Sequence, residues 1–175
     1  MPDPRLIELV DQLPRTAFSG EAFRHQGPGY PPLNAEGSRI HGGRWNPRES
    51  FPVLYLALSV ATAAAEFYRL AERQGMEAAR LLPRRLYRYE VQLSAVADLT
   101  DPDARQSIGL TPKHLVADDA QRCQEIGEAA HYAGFEAINA PSATGQGVIL
   151  AVMFDRMKSG SSVNPADFET WDTLP

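Results

Sequence analysis

Hydrophobic and polar positions along this chain follow two different periods, and the changes of period mark its elements. Residues 3–13 place Leu6, Leu9, Val10 and Leu13 at helical spacing, with Pro4 suited to a first turn and Pro14 closing the segment. Residues 16–25 read as a strand with Arg24 near its end. The stretch 27–43, GPGYPPLNAEGSRIHGG, has no steady period and predicts a long loop, the kind that is often functional in a compact domain. Residues 51–58, FPVLYLAL, form the continuous apolar run of a buried strand. Ser59 is a suitable N-cap for a helix over 60–74, whose alanine-rich sequence favours that conformation.

Beyond Pro83, residues 84–93 alternate, with Leu86, Tyr87, Tyr89, Val91 and Leu93 suggesting a half-buried strand. Residues 97–100 suggest another short one. Asp101-Pro102 and Thr111-Pro112 each pair a capping side chain with proline at a first helical position. Residues 118–133 predict the second long helix, stopped by Gly134. Strands over 135–139 and 148–154 follow, joined by the loop APSATGQG, and the polar tail from Lys158 onward is expected to be loose. Strands and helices are mixed without regular βαβ alternation. That predicts an α+β fold, as a single domain over 1–175 with its core at about 18–154. Neither GxGxxG after a strand nor GxxxxGK[ST] occurs, so the sequence gives no support to a Rossmann or P-loop nucleotide site.

Composition narrows the picture by exclusion. Hydrophobic residues make up 43% and charged residues 22% of the 175, ordinary values for a globular domain. A net charge of −5 lacks the basic footprint of a nucleic-acid binder, although several arginines in the first half leave room for a local phosphate pocket. Cys123 is the sole cysteine, and on its helix it reads as a small packed residue. His25, His41, His114 and His131 form no metal-ligand pattern, so no metal is expected. MPDPRLIELV is unlike a secretory leader, and no apolar run approaches the ~20 residues that span a bilayer. The default expectation is a cytoplasmic protein with no membrane or direct nucleic-acid partner.

Several residues carry chemical interest, each beside a plainer role. Arg24, followed by His25, suits bidentate bonding to a phosphate or an ordinary surface position. Arg44 follows two glycines that permit close backbone approach, and Trp45 beside it offers either a stacking surface or core packing. Tyr55 interrupts an apolar strand and needs a hydroxyl partner if buried. Glu66 ends the run ATAAAE; on a buried face it must be paired or raised in pKa, on the opposite face it is one more surface charge. Ser142 after Pro141 is a turn former or a ligand contact.

In their order and spacing, Arg24, the run Gly42-Gly43-Arg44-Trp45-Asn46, Tyr55, Glu66 and Pro141-Ser142 resemble the RES-domain family. The specific part is SRIHGGRWNP followed by VLYLALSVATAAAE. The resemblance implies a fold similar to ADP-ribosyltransferases of the diphtheria-toxin type. It also implies a toxin of a toxin–antitoxin pair, partnered by an Xre-type antitoxin. NAD+ would be the substrate, cleaved at the nicotinamide–ribose bond by hydrolysis, phosphorolysis or transfer of ADP-ribose to a protein. On that basis Glu66 would stabilise the ribosyl cation, Arg24 and Arg44 would hold the pyrophosphate, Tyr55 would border the nicotinamide, and Ser142 would touch the nicotinamide or its ribose. His25, Trp45 and Asn46 complete the implied NAD+-binding set. Two alternatives stay open: an ADP-ribosyltransferase acting on one cellular protein, and a nucleotide-binding interaction module without turnover. Where many family members carry glycine after Asn46-Pro47, this chain has Arg48-Glu49-Ser50.

Overall fold

The computed structural model describes residues 1–175. Twelve principal elements follow in the order α1 (Pro4–Asp11), β1 (Thr16–Gln26), α2 (Glu36–His41), β2 (Val53–Ala57), α3 (Val60–Arg73), β3 (Arg84–Asp98), α4 (Pro102–Ser107), α5 (Pro112–Val116), α6 (Gln121–Tyr132), β4 (Ala137–Pro141), β5 (Val148–Met153) and β6 (Ser162–Trp171). Capping chemistry sets several helix starts: Asp3, Ser59, Asp101 and Thr111 each accept an N–H of the first turn. No helix is long and apolar enough to cross a membrane.

The strands form one six-stranded mixed sheet in the order β1-β2-β5-β4-β3-β6. Only β3 and β4 run parallel. Strand β1 also pairs along most of β3, from Thr16 opposite Val96 to Gln26 opposite Arg85, so the sheet folds back on itself. Leu54, Leu56, Leu150 and Val152 of one half thereby pack against Tyr87, Tyr89, Val91 and Val163 of the other. Helices α1 and α6 cover the outer face of β2, β4 and β5, burying Val53, Ala151 and Ile138 with Leu6, Val10, Ile126 and Ala130. Phe67 of α3 packs with Ala57, Leu86 and Trp171 in a third cluster.

Three expectations change. The tail expected to be loose contains β6, paired with β3 from Arg84 opposite Trp171 to Gln92 opposite Ser162. Most of β6 is exposed, because it is an edge strand, and this made its sequence read as polar coil. The two strands expected over 84–93 and 97–100 are one strand, β3. Within the loop expected over 27–43 lies the single-turn-scale helix α2, whose Ser38 hydroxyl binds the carbonyl of Val53 and anchors the loop to β2.

Glu136, fully buried ahead of β4, joins these layers. Its Oε2 accepts the N–H groups of Ser94 and Ala95 and the Ser94 hydroxyl, and its Oε1 accepts the N–H of Lys158. Burial alone would raise its pKa, but hydrogen bonds from the Ser161 side chain and from the main chain at Lys158, Ser94 and Ala95 outweigh it and lower the pKa to about 2.

Candidate active site

The first two turns of α3 and the turn after β4 meet at Glu66. Ser59 and Thr62 share a hydroxyl hydrogen bond of 2.8 Å at the helix start. Gly147, at φ 74°, lies directly over Thr62, where a Cβ would overlap the threonine hydroxyl. That close approach brings the 142–147 turn against α3. There the buried Ser142 donates its hydroxyl to Glu66 Oε1 at 2.8 Å, a contact between residues 76 apart in sequence.

The donor directions around Ser142 are fixed by elimination. Its single hydroxyl proton goes to the carboxylate, so in the 2.7 Å contact between Ser142 and Thr144 it is Thr144 that donates. The Thr144 oxygen in turn accepts the N–H of Gln146. A chain of aligned hydrogen bonds thus runs from a main-chain amide to Glu66 and fixes the position of its carboxylate. Glu66 is half-buried, and its Oε2 has no protein donor. A groove of about 550 Å3 runs between α3 and the 142–147 turn, lined by Ala61, Ala64, Ala65, Arg69 and Thr144 but not by Glu66 or Ser142, and Arg69 there reaches the carbonyl of Ala143.

Arg24 and His25 sit at the end of β1, where alternation sends their side chains to opposite faces. Arg24 donates to the carbonyl of Asn34 at 2.7 Å and so holds the 27–35 loop. Burial depresses its pKa. His25 packs against Phe67, the neighbour of Glu66, with ring centroids 5.6 Å apart, and stacks on Trp171. Burial, followed by the charges of Arg84 and Arg24, pushes the His25 pKa down to about 3.

The GGRWN turn behaves differently from expectation. Trp45 is 2% exposed within the main core and offers no stacking surface. Asn46 is fully buried, and its amide nitrogen binds the carbonyls of Ser38 and Phe51. Tyr55 donates its hydroxyl to Asn46 Oδ1 at 2.7 Å and accepts the N–H of Trp45 at 2.8 Å. Burial raises the Tyr55 pKa, so the phenol stays neutral. Arg44 donates to the carbonyls of His114 and Ala117, tying the turn to the end of α5. The ring of Trp45 lies in the main core, and α6 passes directly over the Trp45 carbonyl at Gly127. No hydrogen bond joins Glu66 to Arg24 or Arg44; the structure unites Glu66 with Ser142 and Tyr55 with Trp45 and Asn46, while the neighbours Arg24 and His25 make separate contacts on opposite faces of β1. Arg84 beside His25 and Thr144 behind Ser142 were not singled out in the sequence; Thr144 shares the turn with Ser142, whereas nothing local marks Arg84.

A Cβ on Gly127 would overlap the Trp45 carbonyl. Gly127→Ala is therefore expected to push α6 away from the turn and cost about 2 kcal/mol. Urea unfolding checks this, and a variant as stable as the parent would show that the close approach is not required. Glu49, within the departure from the family pattern, has φ 53°, a left-handed conformation in which glycine is the unstrained residue.

Comparison with known proteins agrees with this architecture. The RES domain family model matches residues 20–171. The NAD(+) phosphorylases MbcT of Mycobacterium tuberculosis and of Mycobacterium bovis are 33% identical over 160 residues, covering 90% of this chain and 86% of the relative. Among solved structures, the Mycobacterium tuberculosis MbcT–MbcA toxin–antitoxin complex contains a chain that superimposes with a TM-score of 0.90 at 31% identity, covering 97% of this chain and 93% of that one. A family model over most of the sequence, joined to a shared fold and a held acidic side chain at α3, leaves one conclusion: this chain belongs to the RES domain family.

Proposed function

We propose that this protein is an NAD+-cleaving toxin of a toxin–antitoxin pair and that it passes the ADP-ribosyl group to inorganic phosphate. The observation that carries this reading is the Glu66 carboxylate, half-buried, held on one oxygen by Ser142 and open on the other. Support for phosphate as acceptor comes from the relatives named NAD(+) phosphorylase at 33% identity. Support for a protein antitoxin comes from the complex in which the neighbouring MbcT is found; we take that partner to be of the Xre type, and the place of action to be the cytoplasm. The folded-back sheet is likewise read as ADP-ribosyltransferase-like.

When the nicotinamide–ribose bond breaks, its electron pair returns to the ring nitrogen and neutral nicotinamide leaves. Positive charge then develops on the ribose. The fixed charge of Glu66 stabilises it without reorganisation, because Ser142 and Thr144 already hold the carboxylate. A phosphate oxygen attacks the anomeric carbon and forms ADP-ribose bearing an anomeric phosphate. Arg24 orients the dinucleotide through its phosphates. Tyr55, Trp45, Asn46 and Arg44 act one layer back, holding the turn that shapes the wall of the site.

Ser142→Ala removes the bond to Glu66 and is expected to lower kcat about tenfold, the typical worth of a hydrogen bond to a charged group, with little change in KM. A rate within twofold of the parent would release Ser142 from this role. The function itself is tested by incubating purified protein with labelled NAD+, alone and with cell lysate. Nicotinamide release without a labelled protein band supports the reading. A labelled band makes the protein a transferase, and unchanged NAD+ makes it a binding module.

A further inference from the structure

Glu66 and Arg69 stand one helical turn apart on α3 and so share one face of it. From that face they reach consecutive residues of the 142–147 turn. Glu66 Oε1 accepts the Ser142 hydroxyl at 2.8 Å, and Arg69 Nη1 donates to the Ala143 carbonyl at 3.3 Å. These two hydrogen bonds are the ones that cross from α3 to the turn. No main-chain N–H donates to the Ala143 carbonyl, so its donor is Arg69.

Within the turn Ser142 is tied on every side. Its N–H donates to the Gly147 carbonyl at 2.9 Å, and its carbonyl accepts the Gly145 N–H at 3.0 Å. Its hydroxyl oxygen also accepts the N–H of Thr144 at 3.1 Å. These bonds hold Ser142 inside the turn; they do not hold the turn on the helix. A rigid turn joined to α3 by one hydrogen bond can pivot about it, and a second bond at the adjacent residue removes that freedom. The close approach of Gly147 to Thr62 limits how near the turn can come, which is a steric limit and not an orientation.

The partner of Arg69 is itself informative. Glu66 lies three residues before it and Glu72 three after, the spacings at which helix ion pairs form. Arg69 forms no ion pair with either within 4.0 Å. Its half-buried guanidinium engages a neutral carbonyl in the turn instead, and Glu66 Oε2 is left without a protein donor.

We infer that Arg69 is a positioning residue, which through the Ala143 carbonyl orients Ser142 toward Glu66. This deepens the proposed NAD+ cleavage and rests on that reading for its effect on rate, though not for the hold on the turn.

Hydrogen exchange and kinetics of the full chain test it. Arg69→Met keeps the apolar stem and loses the donor; Arg69→Lys keeps a charged donor. In Arg69→Met the amides of Ser142 and Gly145 should exchange about fivefold faster, the typical net worth of one hydrogen bond, while those of α6 stay unchanged. The kcat for nicotinamide release should fall by a similar factor at constant KM for NAD+, and Arg69→Lys should recover most of it. In a Ser142→Ala background, Arg69→Met should lower kcat by less than about twofold more, because its effect passes through Ser142. Circular dichroism verifies that each variant is folded. Unchanged exchange at Ser142 and Gly145, parental kcat in a folded Arg69→Met, or an undiminished loss in the Ser142→Ala background overturns the inference. So does a raised KM at unchanged kcat, which would make Arg69 a ligand contact. Faster exchange in Arg69→Met of a protein that leaves NAD+ intact would keep the two-point hold and discard the proposed reaction.

Discussion

Glu66→Gln is expected to reduce NAD+ turnover by about a thousandfold, equivalent to roughly 4 kcal/mol of transition-state stabilisation. The substitution keeps the shape of the side chain and its place on α3. It removes the negative charge that faces the developing ribosyl cation. Glutamine can still accept the Ser142 hydroxyl, so the 142–147 turn stays docked and the variant stays folded. Binding of NAD+ should change far less than kcat, because the lost interaction strengthens only as the bond breaks. Rates of nicotinamide release, alongside a melting curve, separate this from a packing defect. A folded variant turning over within tenfold of the parent would remove Glu66 from the chemistry.

The largest effect on stability is expected at Glu136, away from the site. Its pKa of about 2 lies below the 4.5 of an unperturbed glutamate, a difference worth about 3 kcal/mol of folding free energy. Because the folded value is the lower one, this contribution is complete above about pH 4.5 and disappears as pH falls towards about 2. Glu136→Gln presents an amide N–H to N–H groups that need acceptors and should lower Tm at neutral pH by about 10 °C. The gap between parent and variant should narrow on acidification through that window. Equal melting temperatures at pH 7 would mean that the clasp between β3, β4 and the 158–161 turn contributes nothing net.

Much of this architecture is legible in the residues themselves. Ser59, Asp101-Pro102 and Thr111-Pro112 announce helices by capping, and FPVLYLAL announces a buried strand; the structure places elements at each. Glu66 and Ser142 were separate candidates in the sequence, and their contact depends on how β4 returns beside α3, which no local pattern encodes. Trp45 reads in the sequence as a stacking surface or as core packing, and Asn46 enters only as a ligand contact implied by the resemblance; in the structure both are buried, Trp45 in the core and Asn46 on main-chain carbonyls, through contacts that no local pattern encodes. Strand β6 escaped because an exposed edge strand needs no apolar alternation, and its pairing with β3 supplies the order. Glu136 and Arg84 were illegible for a related reason. A buried carboxylate with main-chain donors and an arginine without a carboxylate are defined by neighbours distant in sequence.

The central claim, that Glu66 serves cleavage of NAD+ with phosphate as acceptor, is tested most directly by phosphorus NMR of the product. Purified protein is given NAD+ in a non-nucleophilic buffer, with and without inorganic phosphate. The account predicts that NAD+ disappears only when phosphate is present and that a new anomeric phosphate resonance grows with the nicotinamide released. Intact NAD+ in the presence of phosphate, or an equal rate giving plain ADP-ribose without it, would contradict the account.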